Sequence, residues 1–273
     1  MHTLPFVIAL IAAAILAPTT VRGLVAAGHT QPNYRGREVA FPLGTLVVAA
    51  ALVAFIPLAL AQQLGSGNVL APDQATVALY VLGVALLGLL DDELGGTARG
   101  LRGHGEALLH GRLSTGGVKA VGSVALALLV LGDRGTSTGR YLLSVAVVVL
   151  ATHLFNLLDL RPGRAVKAFV LLGAGLLVGT LNAQPLWPLG VFVAPVLVAG
   201  VYDLRERGML GDTGSSLVGG LAGLWLVDSL SSTGQAIAVA LLIIITLYGE
   251  IRSISSFVER TPGLRALDSW GRP

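Results

Sequence analysis

Three groups of acids stand where long apolar runs end or begin: Asp91 and Asp92 in GLLDDELGG, Asp159 in HLFNLLDLRPGR and Asp212 in GMLGDTGSS. Adjacent carboxylates repel each other, and keeping both ionised near lipid is costly unless a cation or a basic partner lies between them. A divalent metal or a proton-accepting role accounts for the Asp91–Asp92 pair, and so does a solvated helix end. His153, Asn156 and Asp159 recur at i, i+3 and i+6, which places them on one helix face. Such a stripe is expensive against lipid, so it faces protein or a wet cavity, either as interhelical hydrogen bonding or as ligands. His153, the deepest of the three, is expected to be structural. Gly211-Asp212-Thr213-Gly214-Ser215-Ser216 has the pattern of a loop feeding a helix start, where free N–H groups and the helix dipole bind an anion while Asp212 holds a metal. Thr213 or Ser215 acting as a simple N-cap is the plainer alternative. Lys119 stands just inside an apolar run, where a charge needs a reason. Arg35 and Arg37 in QPNYRGRE, with Arg102, Arg112, Arg161, Arg164 and Lys167, are cations suited to phosphate, although a cytoplasmic excess of basic residues accounts for most of them without any substrate.

The elements that carry these residues follow from composition. The chain has 273 residues, 54% hydrophobic and 12% charged, where soluble domains carry about 25% charged residues. That leaves too little polar surface for a soluble protein and predicts an all-α integral membrane protein. The apolar runs do not alternate every second residue, which excludes a β-barrel pattern. With no cysteine, disulfides, thiol catalysis and Cys-ligated zinc are excluded. A bilayer core needs about 17–25 apolar residues per helix. That criterion predicts nine spans near 4–21, 43–61, 69–90, 118–131, 141–158, 165–181, 185–201, 214–230 and 234–249. They form a single polytopic domain, 1–273, with polar connections at about 22–42, 91–117, 159–165, 202–214 and 250–273. The Gly219 and Gly223 pair is expected to mark close helix packing.

Sorting the connections by side places sixteen of the eighteen Lys and Arg residues on one face, Arg134 and Arg140 alone being opposite. Cytoplasmic loops are enriched in such residues. The N-terminus is therefore expected outside, the C-terminus inside, and every motif above on the cytoplasmic side of a cell membrane. The net charge of +3 then reflects orientation and anionic headgroups, with no patch for nucleic acid.

Taken in order, PNYRGREVAFPLG, GLLDDELGG, NLLDLRPG and GDTGSS with its following glycine pair, the chain resembles the polyprenyl-phosphate N-acetylhexosamine-1-phosphate transferases over about residues 31–220. The resemblance implies a magnesium-dependent enzyme that moves a sugar phosphate from a UDP-sugar to polyprenyl phosphate and releases UMP. It makes Asp91 and Asp92 the family's paired aspartates, Asp212 its metal-binding aspartate, Asn156 and Asp159 its Asn-x-x-Asp element, and Lys119 a phosphate-contacting lysine. On that basis Asp91, Asp92 and Lys119 are expected to be catalytic, Asn156 and Asp212 to hold Mg2+, and Asn33, Arg35, Asp159, Arg161 and Arg164 to bind substrate. The partners implied are polyprenyl phosphate, a UDP-sugar and the bilayer, with a homodimer an open possibility.

Two departures stand out. Pro162 replaces the second acid of the family's Asp-Gly-x-Asp-Gly element, and no histidine follows His153, so the family's His-rich loop near the C-terminus is missing. Both fall on donor recognition. They motivate an alternative, a catalytically silent relative that binds lipid phosphate or acts as a scaffold. A secondary transporter would carry ionisable groups near the bilayer midplane, and here they gather at one interface.

Overall fold

The computed structural model describes residues 2–65, 67–95, 114–132 and 135–273. The basic residues Arg99, Arg102, Arg112 and Arg134, and most of the connection at 91–117, lie outside these residues. Each expected span is met by a helix: α1 (Leu4–Ala26), α2 (Gly44–Leu64), α3 (Gln74–Leu94), α4 (Thr115–Leu131), α5 (Thr138–Leu158), α6 (Arg164–Thr180), α7 (Leu186–Leu204), α8 (Gly211–Ser229) and α9 (Ser232–Ile251). By length and composition, α1, α2, α3, α5, α7 and α9 can cross a membrane, while α4 is apolar and shorter. This is the architecture of an all-α membrane protein. Pro18, Pro57 and Pro195 lie inside α1, α2 and α7, positions that membrane helices tolerate because neighbours re-satisfy the freed carbonyls.

The helix that the others surround is α8. Its residues from Thr213 to Val227 are all buried, and it packs chiefly against α5 and α3, with α6 and α2 also touching it. A helix buried by protein on every side needs no lipid-facing stripe, which is why α8 can be rich in Gly, Ser and Thr. Small residues let the backbones close in. A Cβ at Gly219 would stand 2.6 Å from Thr152 Cα, and one at Gly223 would stand 2.7 Å from Val148 Cα, so the glycine pair seats α8 against α5. Beside that seam, the Tyr80 and Thr152 hydroxyls are hydrogen-bonded at 3.0 Å, which satisfies two polar groups that would be costly if unpaired.

The connections carrying the motifs meet at one end of the bundle. The stretch expected as a plain connection at 22–42 is partly helical, since α1 runs to Ala26, and it then forms a hairpin of β1 (Thr30–Pro32) and β2 (Glu38–Ala40). The Asn33 side chain closes its turn by accepting from the N–H groups of Arg35 and Arg37 at 2.9 and 3.0 Å, and Gly36 supplies the positive φ of +74°. Beyond β2 the chain is zipped to the segment before α8: Met209 N–H donates to Ala40 O, Leu43 N–H to Met209 O and Gly44 N–H to Leu210 O. The region 250–273, expected as a loop, contains α10 (Ile254–Arg260) and α11 (Pro262–Ser269).

Candidate active site at the helix ends

Lys119, on the first turns of α4, reaches toward the last turns of α3. Its ammonium donates to Asp91 Oδ2 at 2.8 Å and to Asp212 Oδ2, the second being the closest contact in the site. Asn156, near the C-terminus of α5, completes the group. With its nitrogen donating to Asp212 Oδ1 at 2.7 Å and to Ser215 Oγ at 2.8 Å, its oxygen accepts from Lys119 Nζ at 3.1 Å, and both ends of the amide are satisfied. Three oxygen-bearing side chains from three helices thus converge on one cation, and the charge inside the apolar run has its reason.

Asp92 points elsewhere, as the roughly 100° between successive helical residues requires. Its Oδ1 accepts from Asp212 N–H at 2.8 Å, and its Oδ2 accepts from Thr213 N–H at 2.8 Å and from the Thr213 hydroxyl at 2.6 Å. The Asp pair is therefore divided, one carboxylate facing Lys119 and the other fastened to the start of α8.

The expected polar stripe on α5 also divides. His153 Nε2 lies 3.4 Å from Glu250 Oε1 on α9, away from the Lys119 group, in keeping with a structural role. Asp159 follows the last turn of α5. Desolvation, together with the charges of Asp203, Asp212 and Asp92, pushes its carboxyl well above the ordinary range, and Arg164 opposes this. Asp203, an acid not singled out in the sequence, is 1% exposed and accepts from Gly163 N–H at 2.8 Å. It holds the turn that follows Asp159.

The residues expected to bind substrate fall into two groups. Asn33 donates to Glu206 Oε2 and the Tyr34 hydroxyl donates to Glu206 Oε1, each at 3.1 Å, while Arg35 Nε lies 3.4 Å from the same carboxylate. The guanidinium of Arg161 covers the Tyr34 ring at 4.7 Å and donates to Glu259 at 3.0 Å. Glu206, also missed from sequence, is buried and adopts a positive φ of 54°. Arg164 is turned to the C-terminal segment, with a bidentate pair to Asp268 at 2.8 and 3.1 Å and a bond to Ser255 Oγ at 2.9 Å. Arg35 likewise donates to Pro273 O at 3.0 Å.

Magnesium, implied by the family resemblance, takes one or two carboxylates and keeps several waters. Asp212 and Asn156, the expected ligands, are in contact and offer hard oxygens at a point where a cation already sits, with the Asp91 carboxylate across from them. Among the described residues no group of three or more His, Cys, Asp and Glu side chains is placed to hold a metal ion.

The chain matches no protein-family model and no curated protein.

Proposed function

We propose that this protein is a membrane phosphoglycosyl transferase that moves a sugar-1-phosphate from a UDP-sugar to polyprenyl phosphate and releases UMP, with its active site at the cytoplasmic ends of α3, α4, α5 and α8. The observation that carries this reading is the junction at Lys119, where Asp91, Asn156 and Asp212, three residues from three separate motifs, are drawn onto one cation. Two carboxylates, those of Asp91 and Asp212, flank a single ammonium, and a third, that of Asp92, grips the peptide that carries Asp212. That excess of negative charge suits a site that recruits a divalent cation before it accepts a diphosphate.

In the reaction an oxygen of the acceptor phosphate forms a bond to the sugar-linked phosphorus of the donor, and the bond from that phosphorus to the oxygen retained by UMP breaks. Magnesium held by Asp212 and Asn156 would neutralise charge on the donor diphosphate. Lys119 offsets negative charge that builds as two anionic phosphates approach. Asp91, ionised against Lys119, takes the proton of the acceptor phosphate. Ser215 holds the Asn156 amide in its orientation.

A second reading, a silent relative that binds lipid phosphate, is favoured by one specific observation: Arg161 and Arg164 are already engaged by Glu259 and Asp268. Purified protein with magnesium and undecaprenyl phosphate, supplied with a panel of UDP-sugars, separates the two. The transferase reading expects UMP release with at least one donor, reduced by about 10²-fold or more in Asp212→Ala. Lipid-phosphate binding without UMP release from any donor establishes the silent relative instead.

A further inference from the structure

The start of α8 carries no cap of its own. Leu210 occupies the N-cap position and offers no side-chain acceptor, so the first N–H groups of a buried helix must find a partner elsewhere. That partner is Asp92, which comes from α3 rather than from the α8 sequence. Its two oxygens accept the Asp212 and Thr213 N–H groups and the Thr213 hydroxyl, so every acceptor direction facing α8 is in use. The surroundings are cut to this fit. Gly88, one turn earlier on α3, lies against the backbone of Asp212 and Thr213 with no room for a Cβ. Gly211 has a φ of +71°, and a Cβ there would stand 2.8 Å from Asp92 Oδ2. The peptide that Asp92 grips is the one that carries the Asp212 side chain to Lys119.

We propose that Asp92 is a positioning residue for the transfer reaction, fixing the Asp212 backbone so that its carboxylate meets Lys119, while Asp91 alone of the pair faces the reacting groups. This rests on the transferase reading for its kinetic consequences and on geometry alone for its structural ones. The adjacent acids are not a redundant pair, because the helical turn between them sends one to the ammonium and the other to a helix terminus.

The test uses the full-length protein in nanodiscs and the variants Asp92→Asn, Thr213→Val and Asp91→Asn. Asp92→Asn keeps one acceptor, which preserves the fold, and Thr213→Val removes only the hydroxyl bond. Hydrogen exchange of the Asp212 and Thr213 amides should accelerate by about tenfold or more in Asp92→Asn and stay unchanged in Asp91→Asn. Unchanged protection in Asp92→Asn overturns the proposal. In the UMP-release assay, Asp92→Asn should lower kcat by about 10- to 100-fold without altering the shape of the pH profile, Thr213→Val should lower it less, and Asp92→Asn combined with Asp212→Asn should be no worse than Asp212→Asn alone. A pH limb that disappears in Asp92→Asn, or losses that add in full, makes Asp92 an acid–base group and overturns the proposal. If wild-type protein releases no UMP, the transferase reading fails by itself, and the exchange measurement still decides whether Asp92 grips α8.

Discussion

Lys119 is where the chemistry of single residues is most exposed to test. Its ammonium lies between Asp91 and Asp212, two carboxylates that repel across the space it fills. Lys119→Met removes the charge and keeps most of the apolar stem. Turnover should fall by about 100-fold or more, on the scale of a lost electrostatic contact to a developing charge. Binding of Mn2+, followed by electron paramagnetic resonance, should hold or strengthen, because a positive neighbour opposes a dication and its removal leaves both carboxylates free for the ion. Loss of Mn2+ binding in this variant would show instead that Lys119 organises the ligands. Asp91, Asn156 and Asp212 were legible from sequence because each stands near the end of an apolar run, and Lys119 because a charge inside such a run needs a reason. The division of labour inside the Asp pair was not legible, since it depends on which way one helical turn points toward α8. Asp203 and Glu206 were missed for a similar reason. An acid at a helix end is ordinary until a distant N–H, as Gly163 supplies to Asp203, or a distant loop, as Asn33 and Tyr34 supply to Glu206, is seen to need it.

The docked C-terminal helices were the largest surprise at the level of elements. Their sequence is polar and Gly/Pro-punctuated, and neither α10 nor α11 has an apolar run long enough to announce a packed element. What holds them is charge. Arg164, with a side chain 7% exposed, grips Asp268 at 12% exposure with two bonds, Arg272, which donates to Pro162 O at 2.9 Å, adds a third contact to Asp268 at 2.9 Å, and Lys167 donates to the carbonyls of Leu267 and Asp268. Burial raises the Asp268 carboxyl, but the hydrogen bonds and charge of Arg164, together with Arg272, more than offset it, so it lies below its ordinary value of 3.8. A carboxylate held low when docked stabilises the docked state above that ordinary value and ceases to do so as the pH falls through the lowered one. The segment should therefore stay docked at neutral pH and loosen below about pH 4. Asp268→Asn should loosen it at pH 7, since leaving the largely buried Arg164 without its partner costs about 3 kcal/mol. Trypsin cleavage at Arg260 and Arg265, followed by mass spectrometry, checks both expectations. Cleavage as slow in Asp268→Asn as in the wild type would mean that the apolar contacts of α10 and α11, rather than the ion pair, hold them.

At the scale of the whole molecule, hydropathy marked where the apolar helices lie, six of which among the described residues are long and apolar enough to cross a membrane, because lipid demands long uninterrupted apolar segments whatever their packing. It said nothing of which helix lies at the centre. The least apolar of them, α8, is central because protein rather than lipid surrounds it, and the Gly219 and Gly223 contacts with α5 set its distance. The connections that bear the motifs converge on one end: the hairpin meets the segment before α8 through Ala40 and Met209, and Arg161 and Arg164 meet α10 and α11 through Glu259 and Asp268. These connections, with that between α3 and α4 and the helix turns that adjoin them, hold sixteen of the eighteen Lys and Arg residues. Each Lys or Arg near an anionic leaflet contributes about 1 kcal/mol, and translocating such loops is disfavoured, so that end should face the cytoplasm. Because the chain has no native cysteine, single replacements report position without background. Glu38→Cys, Leu160→Cys, Arg207→Cys and Gly263→Cys should resist a membrane-impermeant maleimide in intact cells and react after permeabilisation. Thr136→Cys and Asn182→Cys, in connections at the opposite end, should react without permeabilisation. Labelling of any one of the first four in intact cells would place the Lys119 junction on the outer face, where nucleotide-linked sugars are not supplied, and would remove the cytoplasmic donor on which the proposed transfer depends.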